Sequence, residues 1–476
     1  MTFNLKSVVW TIALLLCGYS IHAQKKFADL ANKMAITPPK TNASNTLPFN
    51  FSVQPDGSQF SIPALHSYAF ANYGGLWIFI GGKTNGFHGR PSYPVPFQTT
   101  TASNAIWVVD PVNRQSWSVP IPPAYALYLV NTNSAFYQLN DNLYACGGYN
   151  RSDTTQAHFN NTSDHFFEFN LPALIQYVKS GGSAPVLTQV VTKVIASPFL
   201  QVTGGTLLYN NGNFYLVGGQ KYSAIYSSGT TGAYTNAIRK FQLQQTGNTW
   251  GITDTLSLID TINLHRRDMN VVALPPASGS QAVIYGGVFT NTGSAYLNPV
   301  EISGLDTGTP TIMVDSLKQM ANQYSSANAP IWFNTSGLSF NVFFGGISYE
   351  FYDSGQGGVV IGDHGRAMPF SNLISLVYHY KNYSPFELVQ VPPAAPLMPT
   401  FLGTDGTFIP LPQYALDSNP EVIDGNKIPD GGGKIGYLYG GILSAGPSSG
   451  TTLKGNVPTS ANPVLYDVYI NFPIGN

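Results

Sequence analysis

Six apolar segments of this chain each end in a Gly-Gly pair. Their residues are apolar at successive positions, and aromatic and β-branched side chains are common among them. This pattern predicts strands that are buried on both faces, such as the inner strands of packed sheets. The six pairs are Gly81-Gly82, Gly147-Gly148, Gly218-Gly219, Gly286-Gly287, Gly345-Gly346 and Gly440-Gly441.

A second apolar stretch that begins with Asn or Asp follows every Gly-Gly pair. These leading residues are Asn104, Asp164, Asn236, Asn298, Asn372 and Asn462. Another strand-like stretch precedes each Gly-Gly strand across a short turn rich in Asn, Gly, Asp and Ser, residues that tolerate positive φ. With a fourth strand after the third, the six repeats predict an all-β fold, a six-bladed β-propeller of four-stranded antiparallel blades.

The last repeat has little room for a fourth strand, because residues 464–472 almost reach the end of the sequence. The segment 47–53, Leu-Pro-Phe-Asn-Phe-Ser-Val, has the composition to supply it. We therefore expect an N-terminal strand to complete the sixth blade. Such pairing of the two termini closes the ring of blades and removes its open edges.

The N-terminus has the three-part pattern of a secretory signal peptide. Lys6 precedes an apolar run at residues 8–17, and a polar stretch then ends at Ala23. We divide the chain into a signal peptide (1–23), a flexible lead-in (24–46) and the propeller (47–476). The mature protein is expected to be exported to the periplasm, the outer surface or the medium of a Gram-negative bacterium. No later segment has the length and apolarity of a transmembrane helix.

The chain contains few charges: only 9% of its residues are Asp, Glu, Lys or Arg, and the formal net charge is −1. The sequence has no dense cluster of Lys and Arg residues that could bind the phosphate backbone of a nucleic acid, so we expect no nucleic-acid partner. Neutral hydroxyl, amide and aromatic side chains suit uncharged ligands such as glycans. After cleavage at Ala23 only Cys146 remains, which leaves no internal disulfide.

The Gly-Gly strand, the strand that follows it and an aromatic such as Trp117 or Trp250 resemble the blade signature of the kelch-repeat family, which includes the galactose-oxidase-like propellers. The resemblance covers nearly the whole mature chain and implies a propeller, but no particular function. The repeats here are longer than the roughly 50 residues of a typical kelch unit. The additional residues must lie in loops.

The long loops all lie on one face of the predicted propeller. They are the connections 83–103, 149–163, 220–235, 347–371 and 442–461. Long loops on a rigid scaffold commonly carry binding sites. The candidate ligand-binding residues on this face are His88, Arg90, Arg151, Asp153, His158, Lys221, Tyr222, Arg266, Arg267, Asp268, Glu350, Tyr352, Asp363, His364 and Arg366.

Three functions fit this fold. The first is a non-catalytic module that binds a glycan or a cell-surface protein through the long-loop face. The second is a sugar-acting enzyme similar to the exported sialic-acid mutarotases, which are also six-bladed kelch propellers; Asp363, His364 and Arg366 offer acid/base groups for such a reaction. The third is a structural envelope protein. An enzyme should gather an acid/base pair and an Arg in one pore-mouth pocket, whereas a binder should present a broad aromatic and amide surface.

We expect no cofactor. The copper site of galactose oxidase needs a cysteine cross-linked to a tyrosine, and here Cys146 directly precedes a Gly-Gly pair in a predicted buried strand. A weak calcium motif contains Asp424, Asn426 and Asp430, whose oxygens resemble those of extracellular calcium loops. The spacing departs from an EF-hand because Val422 stands where that loop needs glycine.

Overall fold

The computed structural model describes residues 49–87, 97, 99–151, 160–223, 232–333, 337–361, 369–380, 385–429, 431–447 and 458–471. These residues form six four-stranded antiparallel sheets arranged around a central channel. The predicted six-bladed β-propeller is confirmed. The predicted signal peptide and the whole predicted lead-in lie outside the described residues. No described helix is long and apolar enough to cross a bilayer.

Each blade runs from an inner strand at the channel to an outer strand at the rim. Blade 1 contains β2 (Ala69–Tyr73), β3 (Leu76–Ile80), β4 (Ala105–Asp110) and β5 (Gln115–Pro120). Blade 2 contains β7 (Ala135–Leu139), β8 (Asn142–Cys146), β11 (His165–Asn170) and β12 (Val191–Ala196). Blade 3 contains β13 (Thr206–Asn210), β14 (Asn213–Val217), β17 (Ala237–Thr246) and β18 (Thr249–Ile259).

The other three blades repeat this order. Blade 4 contains β19 (Asn270–Ala273), β20 (Ala282–Tyr285), β21 (Val300–Ser303) and β22 (Thr311–Val314). Blade 5 contains β23 (Ala327–Phe333), β24 (Leu338–Phe344), β27 (Ile374–His379) and β28 (Phe386–Gln390). Blade 6 contains β29 (Phe401–Pro410), β32 (Gly433–Ser444), β34 (Tyr466–Asn471) and, as its outer strand, β1 (Asn50–Pro55).

The N-terminal strand closes the propeller as the sequence predicts. In the antiparallel pair of β1 and β34, Phe51 lies opposite Ile470 and Val53 opposite Val468. Gln390 of blade 5 also binds the backbone of Phe51, accepting from its N–H at 2.6 Å and donating to its carbonyl at 2.8 Å. Strand β1 therefore completes blade 6, and the hydrogen bonds of Gln390 join this strand to blade 5.

Short helices, 3-10 turns and short strands lie between the main strands of the blades. The helices are α1 (Pro123–Leu129), α2 (Leu171–Lys179) and α3 (Leu187–Val190), with 3-10 turns at Thr99–Thr101, Pro198–Leu200, Pro276–Ser278 and Gly425–Lys427. The short strands are β6 (Asn131–Thr132), β9 (Tyr149–Arg151), β10 (Asn160–Thr162), β15 (Gln220–Lys221), β16 (Ala233–Tyr234), β25 (Glu350–Asp353), β26 (Gly358–Ile361), β30 (Ala415–Leu416), β31 (Asn419–Asp424) and β33 (Thr459–Ala461).

The Gly-Gly pairs join neighbouring blades. In all six pairs the N–H of the second glycine donates to a carbonyl in the segment that leads into the next blade. The acceptors, in blade order, are Asn131, Val202, Arg266, Gln323, Leu402 and, back in blade 1, Leu65. The first glycine packs directly against the connecting segment of the next blade. Both positions thus serve the contact between blades.

We predict that Gly345→Ala destabilises the propeller by about 4 kcal/mol. Gly345 has a φ of +61°, and an added Cβ would overlap the carbonyl oxygen of Leu402. The matched control is Gly357→Ala, since Gly357 has a φ of +69° but no atom within 4 Å of an added Cβ. The control should lose only the roughly 1–2 kcal/mol of backbone strain. Urea unfolding measures both, and equal losses would refute the proposed role of the blade contact.

Ring closure generates a second prediction. Phe51→Ala should lower the free energy of unfolding by about 3–5 kcal/mol, because Phe51 is fully buried in the largest apolar cluster. Gln54→Ala on the same strand is the control, since Gln54 is exposed. Thermal and urea unfolding of the two variants provide the comparison. If the two substitutions behave alike, β1 does not dock into blade 6 in solution.

Candidate functional site

A closed ring of six backbone hydrogen bonds marks the end of the channel on the long-loop face, which we call the top face. The hydrogen-bond ring takes one residue from each blade: Ser67, Asn133, Gly204, Asp268, Ser325 and Asp405. Each N–H donates to the carbonyl of the preceding member, at 2.9 Å for Asn133, 3.1 Å for Gly204, 2.8 Å for Asp268, 2.7 Å for Ser325, 3.1 Å for Asp405 and 3.4 Å for Ser67. The six connecting segments are thereby fixed relative to one another.

Most members of the hydrogen-bond ring have left-handed backbone. Five of the six have positive φ, from +50° at Asp268 to +64° at Gly204; Ser325 is the exception. Residues other than glycine rarely adopt this conformation, although Asn and Asp tolerate it best. Strained backbone of this kind concentrates at functional sites. Four such residues other than glycine meet at one channel mouth, which marks the top face as a candidate site.

Side chains around the hydrogen-bond ring form a small pore-mouth pocket. Its lining includes the ionisable groups His66, Lys83, Arg267, Asp268 and Asp405, the amides Asn133 and Gln220, and the aromatic residues Phe87, Phe97, Tyr149, Tyr222 and Tyr324. The accessible space is about 40 Å³, which holds a few water-sized groups but no whole sugar ring. The described pocket can therefore take one polar group of a larger ligand.

Three residues form a hydrogen-bonded path between a carboxyl group and an imidazole. Ser67 Oγ donates to Asp405 Oδ2 at 2.7 Å, and His66 Nδ1 lies 2.8 Å from the same Ser67 Oγ. Burial raises the pKa of Asp405 to about 7, and the nearby charge of Asp268 adds to the effect. Asp405 can thus gain or lose a proton near neutral pH, and the serine hydroxyl links that proton to the imidazole.

An arginine, an aspartate and a tyrosine meet on another wall of the pocket. Arg267 forms an ion pair with Asp268, and Arg267 Nη1 lies 3.4 Å from Tyr324 Oη. Burial raises the pKa of Tyr324 well above its usual value, so its hydroxyl stays protonated. This wall offers a guanidinium and a hydroxyl donor to an oxygen-rich group.

Lys83 is an unusual member of the pocket because it is only 3% exposed. Its Nζ donates to Thr101 Oγ1 at 2.9 Å and lies 5.2 Å from the centre of the Phe97 ring. Burial lowers the pKa of Lys83 to about 8. A cation with so little solvation is a strong hydrogen-bond donor for a ligand oxygen.

Of the residues predicted from the sequence, the structure places Tyr222, Arg267 and Asp268 in the pocket. Arg266 lies elsewhere: its buried guanidinium donates to the carbonyls of Asn263, Gly286 and Asn298 at 2.7, 2.8 and 2.9 Å. Arg266 therefore joins blades 3 and 4. Lys221 is exposed on β15, and Glu350 and Tyr352 lie on β25; none of these three lines the pocket.

The other candidates lie at positions that the structure does not describe. His88, Arg90, Asp153, His158, Asp363, His364, Arg366 and Asp430 lie outside the described residues, as does the side chain of Arg151. Their involvement stays a prediction.

Two of the three predicted calcium ligands, Asp424 and Asn426, are among the described residues. Asp424 Oδ1 accepts from the backbone and side-chain nitrogens of Asn426, both at 3.0 Å, and caps a 3-10 turn. Within the described ranges no three His, Cys, Asp or Glu residues lie together as a metal-binding group. Calcium binding at Asp424 and Asn426 stays an untested prediction.

Burial raises the pKa of Cys146 to about 12, which makes this thiol unreactive.

Sequence reasoning missed His66, Ser67, Lys83, Tyr324 and Asp405. One signal could have found the hydrogen-bond ring: a small polar residue or glycine stands two positions before the first strand of blades 1 to 5. Ser67 is the first of these residues. Lys83 had its own signal, because it follows the first Gly-Gly pair directly.

Fold and site define the chain as a six-bladed β-propeller with a charged pocket at the top of its channel. No protein-family model matches the chain, and no curated protein matches its sequence. The chain resembles the solved structure of YjhT with a TM-score of 0.44, over 84% of this chain and 98% of that chain. The two sequences are 11% identical.

The pKa of Asp405 predicts a pH dependence of stability. An unfolded Asp releases its proton near pH 3.9, whereas folded Asp405 keeps it until about 7, so the folded state binds more protons between these values. The free energy of unfolding should therefore fall as pH rises from about 4 to about 7, by about 4 kcal/mol at most. Asp405→Asn cannot ionise and should lose the part of this decline that Asp405 contributes, while Glu387, whose pKa burial also raises to about 7, keeps its own part in both proteins.

Urea unfolding at pH 4.5 and 7.5 checks the prediction as a difference between wild type and variant. Asp417→Asn is the control, because Asp417 is fully exposed and its substitution removes the same charge. The control should retain the wild-type pH dependence. Parallel profiles for wild type and Asp405→Asn would show that the pKa of Asp405 is not raised.

Proposed function

We propose that the chain is an exported propeller of the kelch type whose top face binds a glycan. One polar group of the glycan occupies the pore-mouth pocket, and the rest of the ligand lies above it on the top face. The predicted signal peptide supports export, and the repeated Gly-Gly strands support the kelch relationship. The pocket has a volume of about 40 Å³. It therefore accommodates a protruding hydroxyl or carboxyl group of a ligand better than it accommodates a flat protein surface.

The observation that carries this proposal is the composition of the pocket wall. Phe97, Tyr149 and Tyr222 form an aromatic cluster, with ring centres 5.0 Å apart for the first two and 5.4 Å apart for the last two. Lys83 and Arg267 add cationic donors beside them. Aromatic faces with a few placed polar groups are typical of small-ligand sites. Sugars present such a mixture of C–H faces and hydroxyl groups.

The test is a glycan array probed with the purified mature chain, residues 24–476, followed by titration of the best ligand. Lys83→Met keeps the length of the side chain but removes its ammonium group, and we expect at least tenfold weaker binding. Lys221→Met is the matched control, because this exposed lysine lies on the same face outside the pocket. The control should bind as wild type does. No glycan bound, or equal loss in both variants, would refute the proposal.

A sugar-acting enzyme is the second candidate function. The criterion set out for an enzyme, an acid/base pair and an Arg in one pore-mouth pocket, matches the Asp405–Ser67–His66 path and Arg267. Opening a cyclic sugar requires that one group take a proton from the anomeric hydroxyl while another donates one to the ring oxygen. Asp405, with a pKa of about 7, suits such an exchange.

The enzymatic proposal predicts faster interconversion of the anomers of the bound sugar, measured by NMR exchange spectroscopy. Asp405→Asn should reduce the acceleration at least tenfold, whereas Asp417→Asn should preserve it. A wild-type chain that binds the sugar without accelerating the exchange is a binding module alone.

A further inference from the structure

Below the hydrogen-bond ring lies a second and much larger cavity, the central channel, with a volume of about 680 Å³. Ser67, Asn133, Gly204, Asp268 and Asp405 line both the channel and the pore-mouth pocket, so the hydrogen-bond ring separates the two. A cavity of this size holds a ligand of drug-like dimensions. The channel is therefore a second place where a small molecule could bind.

An insertion in blade 6 shapes the other end of the channel. Its strand β31 runs parallel to β23 of blade 5, with Ile423 opposite Ile331. Glu421 at the start of this strand lines the channel, and its charge helps to raise the pKa of Tyr137 in blade 2, after burial. The carboxylate thus stands close to the opposite wall, where the ring centres of Tyr137 and Tyr209 are 6.3 Å apart.

The charged side chains that line the channel are all acidic, although one of them, Asp268, is paired with Arg267 of the pore-mouth pocket. They are Asp268, Asp306, Asp405 and Glu421, and no Lys, Arg or His occurs among the described lining residues. This bias does not come from composition, since the chain has 22 Lys and Arg against 23 Asp and Glu. Such a channel repels anions and attracts cations.

Burial raises the pKa of Asp405 to about 7, whereas Glu421 is exposed to the channel space. The ionised form of Asp405 is poorly solvated, so a cation brought by a ligand would stabilise it, and a second cation would pair with the exposed carboxylate of Glu421. Aromatic rings beside them add a further attraction for cations. A neutral sugar chain would donate hydroxyl hydrogen bonds to the same carboxylates, but it brings no positive charge to stabilise their ionised form.

Glu421 and Asp405 lie at different depths in the channel. Extending the parallel pairing of Ile423 with Ile331 back by two residues puts Glu421 level with Ala329, four residues along the chain from Ser325 of the hydrogen-bond ring. At about 3.3 Å per extended residue, roughly 13 Å separate Glu421 from the level of Asp405. Partly exposed apolar and aromatic side chains, including Phe136 and Leu208, occupy part of the wall of the channel.

We propose that the central channel binds a linear aliphatic polyamine. One terminal ammonium group pairs with Glu421 beside Tyr137 and Tyr209, the other approaches Asp405 beneath the hydrogen-bond ring, and the methylene groups contact the apolar wall. An extended chain gains about 1.2 Å per bond, so the ends of spermidine reach about 11 Å and those of putrescine about 6 Å. Spermidine can therefore approach both acidic ends, and putrescine cannot.

The test is calorimetric titration of the full mature chain with spermidine and with putrescine at 150 mM NaCl. We expect one spermidine per chain and at least tenfold weaker binding of putrescine. Removal of residues 1–23 takes away Lys6 and changes the formal net charge from −1 to −2, which is small enough to keep unspecific attraction of polyamines weak. Absence of spermidine binding, or equal affinity for the two amines, would overturn the proposal.

A matched pair of variants locates the site. Glu421→Gln should weaken spermidine binding at least tenfold, whereas Asp417→Asn, four positions away and outside the channel lining, should leave it unchanged. Thermal unfolding confirms that both variants are folded. Equal loss in both would assign the binding to surface charge, and tighter binding of maltotriose than of spermidine would identify a neutral-sugar channel; either result refutes the polyamine site.

Discussion

The hydrogen bond from the second glycine of each Gly-Gly pair to the next blade is the interaction on which the rest of the structure depends. It recurs at all six blade junctions, and the last one, from Gly441 to Leu65, returns to blade 1. In blades 1 to 5 the acceptor carbonyl stands two residues before a member of the hydrogen-bond ring, as Leu65 stands before Ser67. The contact between blades therefore also sets the geometry of the channel mouth.

Blade 6 departs from this spacing, and the departure coincides with the most perturbed acid of the site. Its acceptor, Leu402, precedes Asp405 by three residues, and the pairing of β29 with β32 shifts register between Phe401 and Thr404. Bulges of this kind redirect side chains near functional sites. The additional residue places Asp405 between the pore-mouth pocket and the central channel, where burial raises its pKa to about 7.

Much of the architecture could be predicted from the sequence because it depends on local rules. Successive apolar residues, Gly-Gly pairs and Asn-led strands indicated six blades, and the strand-like composition of segment 47–53 indicated closure by residues near the N-terminus. The structure confirms both. Tyr222, Arg267 and Asp268, which the sequence placed on the long-loop face, line the pore-mouth pocket, and their part in binding stays a prediction.

The membership of the site was decided by the tertiary structure. Ser67 and Asp405, 338 positions apart, meet only because the ring of blades closes. Adjacent residues can have opposite roles: Arg266 is a buried clamp between blades, whereas Arg267 lines the pocket, because side chains of an extended segment point in alternating directions. The sequence by itself determined the repeating strands and their number. Which side chains meet at the channel depends on closure and on the direction of each one, and these arise only when all six blades pack together.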